Sequence, residues 1–173
     1  MLKKLTELNR SAWFWITLIV LCFAQEAVAL YYQYVLHYDP CMLCVHIRAW
    51  VMAIMLLAIL GLFLRNSRIG LVITNLLMLS AAGGMLERAY MTLGTERGWV
   101  DGSCGDLESG YPTWLPLDQW WPAMFQPLEA CGLTPWLIQQ VMSMADALML
   151  LSGGLVLVML VLFLNSIRAA VSE

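Results

Sequence analysis

The sequence predicts an all-α membrane protein: a four-transmembrane-helix bundle with a long outward loop that carries a short membrane-surface segment. Hydrophobic residues make up 61% of the 173 positions and charged residues only 12%, about half the charged share of a soluble domain. Four stretches, about 13–32, 43–64, 69–90 and 145–164, each reach the ~20 apolar residues that a bilayer core requires. In lipid the backbone must satisfy its own polar groups, so these stretches are helices. Lysine and arginine sort the connecting segments into a basic side and an acidic side.

The first span follows Lys3, Lys4 and Arg10 and carries Gln25 and Glu26. Its start mimics a signal peptide, basic and then apolar, ending in Ala27-Val28-Ala29. Removal would leave three spans and upset the charge pattern, so retention is expected. A short outward loop, 33–42, leads into the second span, whose opening reads Pro40-Cys41-Met42-Leu43-Cys44-Val45-His46-Ile47-Arg48. Arg65 and Arg68 occupy the tight turn before the third span, which ends near Glu87 and Arg88.

The second outward loop, 91–144, is glycine-rich in its first half and holds Cys104 and Cys131. Its middle, from Tyr111 to Pro122, sets three Trp among three Pro. Proline breaks helix and Trp favours the membrane interface, so the segment up to Phe125 lies on the bilayer surface or caps the helix bundle. The fourth span opens near Asp146 and is followed by Arg168. Arg97 is the lone cation of the outward loops, against Glu96, Asp101, Asp106, Glu108, Asp118 and Glu129. The charges therefore put both termini in the cytoplasm and both cysteine loops outside, the periplasm if the membrane is a bacterial inner membrane. One integral membrane domain, 1–173, accounts for the chain. With no basic patch to neutralise phosphates, nucleic acid is not an expected partner.

Glu26, Gln25, Arg48, Glu87, Arg88 and Asp146 all fall in the outer third of the membrane, level with Cys44. Ionisable groups at that depth mark a pocket or a helix end. Asp146, Glu87 and Arg88 read as boundary residues reaching for the interface, and Glu26 as a deeper group that fits a pocket or a bundle-holding pair. Arg48 lies one helical turn past Cys44 on its face, where a cation favours a reactive thiolate.

Cys41 and Cys44, three positions apart, can close a short disulfide. Together with Cys104 and Cys131 they would formally make a tetrahedral zinc set, but structural zinc sites pair two short turns, and 26 residues intervene in the second pair. Two thiol pairs on an oxidising side fit a disulfide-exchange relay better, with no metal. Cys22 reads as an inert core thiol, and His37 and His46 as weak candidates for chemistry. The chain has no dinucleotide glycine motif, haem-attachment CxxCH or iron–sulfur spacing. A lipid-soluble quinone needs only an apolar cleft with a polar end, and is the most economical electron sink.

The Pro40–Cys44 motif with Arg48, the Cys104/Cys131 pair and the run Trp114-Leu115-Pro116-Leu117-Asp118-Gln119-Trp120 resemble the disulfide bond formation protein B (DsbB) family. The likeness extends to Glu26 and Gln33 and covers nearly the whole chain. It implies a quinone-dependent oxidase of a periplasmic thioredoxin-like thiol oxidase, DsbA, drawing on ubiquinone or menaquinone. Cys104 would take the attack of the partner's thiolate, with Cys131 as leaving group. Cys41 would exchange with that pair, and Cys44 would face the quinone beside Arg48. Met91 departs from the polar residue of better-known members, which puts secondary quinone contacts there in question and leaves Glu87 or Arg88 as substitutes.

Two other readings fit parts of the pattern. A vitamin K epoxide reductase-like enzyme shares the four-helix bundle and CxxC, but its CxxC usually lies late in the chain. A non-enzymatic membrane scaffold would use Cys104–Cys131 as a structural staple.

Overall fold

A computed structural model describes residues 2–100, 111, 115–129, 135–138 and 141–171. Helix α1 (Leu2–Arg10) leads into α2 (Ala12–Tyr34), α3 (Met42–Leu64) and α4 (Arg68–Glu96). Two single-turn helices, α5 (Leu117–Trp120) and α6 (Pro122–Phe125), and a hairpin of β1 (Trp136–Ile138) and β2 (Met142–Ser143) precede α7 (Met144–Val171). Helices α2, α3, α4 and α7 are each long and apolar enough to cross a membrane. The chain is an all-α multi-pass membrane protein.

The helices run past several expected ends. Helix α4 continues to Glu96, beyond the predicted 90, because the hydroxyls of Thr92 and Thr95 donate to the carbonyls of Arg88 and Met91, each at 2.8 Å. These bonds hold polar residues on the helix as it leaves the apolar zone. Gly98, in the left-handed region at φ 68°, then turns the chain. At its far end α7 extends beyond the predicted 164 to Val171, where Asn165 Nδ2 donates to Thr6 Oγ1 of α1 at 3.0 Å. The hairpin and α1 carry no strong sequence signal and were not expected.

Three of the four spans, α3, α4 and α7, begin on a side-chain cap. Ser67 Oγ accepts the N–H of Gly70 at 3.2 Å at the start of α4. Ser143 and Asp146 cap α7 reciprocally, each side chain accepting the other's backbone N–H at 3.2 Å. Asp146 also pairs with Arg97 at 2.8 Å, so α4 and α7 are tied together at this end.

Packing joins α2 to α3, α3 to α4, and α4 to α7, leaving α2–α7 as the seam without an extensive interface. The core runs through Trp15, Ile54, Met78, Met159 and Leu162. At the α1 end, fully buried Trp15 donates from Nε1 to Asn9 O at 2.8 Å and lies flush against Gly61, where any Cβ would overlap its ring. Large apolar side chains such as Phe23, Phe63, Leu150 and Leu157 face outward, as lipid-facing helices require.

The Trp-rich segment caps the bundle through one residue and leaves others outside it. Phe125 is buried and α6 packs on α3, whereas Trp120 and Trp121 stay exposed.

Candidate functional site

The site forms where α3 begins. Pro40 and Cys41 enter in extended backbone, and Cys41 takes the N-cap position, its sulfur accepting the N–H of Cys44 at 3.3 Å. The two cysteines form a disulfide, with Cα atoms 5.1 Å apart. Cys41 is buried, whereas Cys44, half-buried, lines a cavity of about 390 Å³.

That cavity sits at the α2–α7 seam. Its walls are apolar, with Leu21 and Val28 from α2, Ile47 and Val51 from α3, and Leu148 and Leu151 from α7. Pro135 and Leu137 of the hairpin segment reach it from the loop side. Polar groups gather at one end: Glu26, Arg48, Tyr32, Tyr38 and Asp39. An apolar chamber with a few convergent polar groups is the usual build of a small-molecule site.

Arg48 organises this end. It is buried, yet one face borders the cavity. Its Nη1 donates to Gln33 Oε1 at 2.6 Å and to Met124 O at 3.2 Å, and its Nη2 to Ala29 O at 3.2 Å. One guanidinium thus holds α2, α3 and α6 together, a use that suits its fixed fork of donors. Tyr34 Oη adds a second tie from α2, donating to Ala123 O at 2.5 Å.

Glu26 shares the cavity. Its relative exposure is only 6%, and Oε2 has no hydrogen-bond partner among the described residues. A buried carboxylate oxygen left unpaired is expensive and calls for a reason.

On the far side of the cysteines lies the second loop. Pro40 O accepts the N–H of Leu128 at 3.0 Å and of Glu129 at 3.4 Å, and Cys41 pairs with Glu129 in a parallel bridge. The chain therefore brings residues 128–129, just before Cys131 in the sequence, against Cys41. Tyr111 anchors the loop again: its hydroxyl donates to Val45 O at 3.0 Å, and its ring meets His46 edge-on at 4.9 Å and Phe125 at 6.2 Å. Burial, with Asp118 adding to it, pushes the Tyr111 phenol above its ordinary range.

The remaining residues singled out from sequence fall as follows. Cys104 and Cys131 lie outside the described residues. Gln25 lines the cavity, and Gln33 reaches it through Arg48. Exposed Glu87 and half-buried Arg88 pair with each other at 3.3 Å, and neither they nor Met91 border the cavity. Cys22 is a free thiol in the core, and His37 takes a left-handed turn at φ 55°. Sequence reasoning missed Tyr111 and the carbonyls of Ala29, Ala123 and Met124. Only the Trp-rich run beside them hinted that this part of the loop docks.

A family model, disulfide bond formation protein DsbB, matches residues 11–162. The chain belongs to the DsbB family. It is 30% identical over 150 residues to disulfide bond formation protein B of Shewanella sp. strain MR-4, covering 87% of this chain and 85% of that protein. Disulfide bond formation protein B of Pasteurella multocida is 32% identical over 136 residues, covering 77% and 74%. Disulfide bond formation protein B 2 of Pseudomonas aeruginosa strain PAO1 is 38% identical over 112 residues. That match takes in 64% of this chain and 66% of the relative, just under two thirds of its length. The DsbB match begins before α2 and ends within α7, so it takes in both the Cys41–Cys44 pair and the whole cavity.

Proposed function

We propose that the protein is a disulfide-generating oxidoreductase that reoxidises a periplasmic DsbA-like dithiol protein and passes the electrons to a membrane quinone, ubiquinone or menaquinone. The observation that carries this reading is the Cys41–Cys44 disulfide with one sulfur on each side of the problem. Cys44 borders an apolar cavity at a lipid-facing seam, while Cys41 abuts the loop that leads to Cys131. Sulfurs bonded to each other are not metal ligands, which favours the relay over a zinc set.

In this reading Cys104 meets the partner's thiolate and Cys131 leaves, and the reducing equivalents move to Cys41 by exchange. The orientation that goes with it has both termini in the cytoplasm and both cysteine loops in the periplasm, in a bacterial inner membrane. The residues fit a quinone. The chamber is apolar, Arg48 offers a cation and N–H donors at its polar end, and Glu26 Oε2 is an unused buried acceptor. When bound, a quinone supplies a two-electron, two-proton sink. Arg48 and the first turn of α3 both favour negative charge on the Cys44 sulfur as the disulfide is opened.

The test is Cys44→Ser in purified full-length protein. Quinone reduction should vanish, while Cys104 still traps the partner as a mixed disulfide. Quinone turnover that survives the change overturns the mechanism. A scaffold would instead show neither pair titrating as the dithiol partner is added.

A further inference from the structure

The cavity lining includes a buried polar atom without a hydrogen-bond partner among the described residues, and the relay does not use it. Glu26 is buried to more than nine-tenths, borders the same chamber as Cys44, and leaves Oε2 unpaired. Arg48, a cation on the same cavity, gives its hydrogen bonds to Gln33, Ala29 and Met124 and none to Oε2. Among the described residues, the other ionisable groups around the chamber are Tyr32, Tyr38 and Asp39 at its loop end and Cys22 one turn back on α2. Helix α7 and the hairpin segment contribute, among the described residues, only apolar side chains to the lining. An unpaired buried carboxyl oxygen at the polar end of a largely apolar chamber is placed to meet an oxygen of whatever enters.

We propose that Glu26 is the proton-handling residue of this cavity, holding a proton at Oε2 and delivering it to an oxygen of the bound electron acceptor. The inference rests on the quinone reading above and deepens it. The balance is simple. Two thiols, Cys41 and Cys44, lose two electrons and two protons as their S–S bond forms, and the acceptor takes up two of each to leave as a quinol. Glu26 gives up the Oε2 proton as the electrons leave sulfur, and regains one from water that took up the proton equivalent of the Cys44 thiol when that sulfur became a thiolate. The second thiol proton, from Cys41, is exchanged through water on the loop side, and the second acceptor oxygen is protonated from that water. Positioned proton transfer of this kind contributes roughly 10²- to 10⁴-fold to a rate. Without it, charge would build up in an apolar chamber, where it is costly.

The experiment uses the full-length protein in lipid nanodiscs, a short-chain ubiquinone as probe, and the variants Glu26→Gln and Cys44→Ser side by side. Glu26→Gln keeps the size of the side chain and removes the transferable proton. Expected is a fall in quinone turnover of about 100-fold, with quinone affinity and partner exchange at Cys104 changed less than about threefold. In the wild-type protein, the infrared difference between oxidised and reduced states should contain a carboxylic-acid C=O band that moves on carbon-13 labelling of glutamate and is missing in Glu26→Gln. Wild-type turnover in Glu26→Gln overturns the proposal, and so does a parallel loss of affinity and turnover, which would make Glu26 a contact residue only. If Glu26→Gln fails to fold, the labelled wild-type spectrum decides alone, and absence of the band overturns the proposal. The underlying reading fails separately: turnover retained in Cys44→Ser sinks it whatever Glu26 does, whereas normal Glu26→Gln beside dead Cys44→Ser sinks only the role of Glu26.

Discussion

The two ends of this helix bundle solve the same packing problem in opposite ways. At the α1 end Trp15 fills the space between helices, and polar side chains are spent on cross-links, with Asn165 to Thr6 and Trp15 to the Asn9 carbonyl. At the loop end the α2–α7 seam stands apart around a chamber, and an arginine rather than a large apolar group ties the helices. A closed end gives the spans a fixed register, so the open end can keep a cavity beside a disulfide without collapsing into it. The difference teaches that the stability of this fold and its chemistry are held by separate sets of residues.

Arg48 is where that separation can be broken most sharply, and Arg48→Ala should have the largest effect of any single change in the tie. Three hydrogen bonds from a charged donor disappear at once, and bonds of this kind contribute ~1.5–3 kcal/mol each. Expected is a loss of quinone affinity of roughly 100-fold, measured by titration. Residues 115–129 should also become faster to cleave in limited proteolysis, because Met124 loses its donor. Exchange at Cys104 should continue. Arg48→Lys should not rescue, since a single ammonium cannot span Gln33, Ala29 and Met124 together. Equal loss of exchange and quinone binding would mean that Arg48 serves folding alone, and the contrast between the two ends would fall with it.

Gly61→Leu attacks the other end. A side chain at Gly61 meets the Trp15 ring in a site with no spare volume. Overpacking of this sort costs about 1–3 kcal/mol, so the thermal midpoint in detergent should drop clearly. Quinone affinity of the molecules that remain folded should stay within about threefold, because distant sites act independently. An affinity that falls in step with the midpoint would show the two ends to be one cooperative unit.

These residues also mark what the sequence made legible. The spans are readable because lipid demands long unbroken apolar runs, and the Cys44–Arg48 register is readable because four residues make one helical turn. The partners of Arg48 are not readable. Two of the three are main-chain carbonyls, Ala29 O and Met124 O, and every residue has one. The contact of Gly61 with Trp15 is equally silent, since nothing local in either helix announces a partner on the other. The extension of α4 depended on Thr92 and Thr95 bonding back to their own helix, which a hydropathy pattern scores as loop. Glu26 was visible as an oddity in an apolar span, but its unpaired oxygen could only be found once three helices and a loop were in place around it.

Tyr111 supplies the finest test, because it stands at the boundary of the open end without bordering the cavity. Its hydroxyl bond to the Val45 carbonyl pins the loop to α3 one residue after Cys44. Losing one neutral hydrogen bond costs about 1 kcal/mol, so Tyr111→Phe should lower stability modestly and leave quinone affinity unchanged. The pH dependence is more telling. Burial holds the folded phenol protonated above its ordinary range. Above a phenol's usual value of about 10, the unfolded chain therefore binds fewer protons than the folded one, and stability falls as pH rises. Tyr111→Phe removes that titration, so its stability should decline less steeply than the wild type's in alkaline solution, as measured by unfolding midpoints across a pH series. Identical alkaline slopes in the two proteins would mean that Tyr111 is not held in its buried, loop-pinning position. The loop over the open end would then be anchored by Arg48, Tyr34 and the Pro40 carbonyl without a contribution from Tyr111.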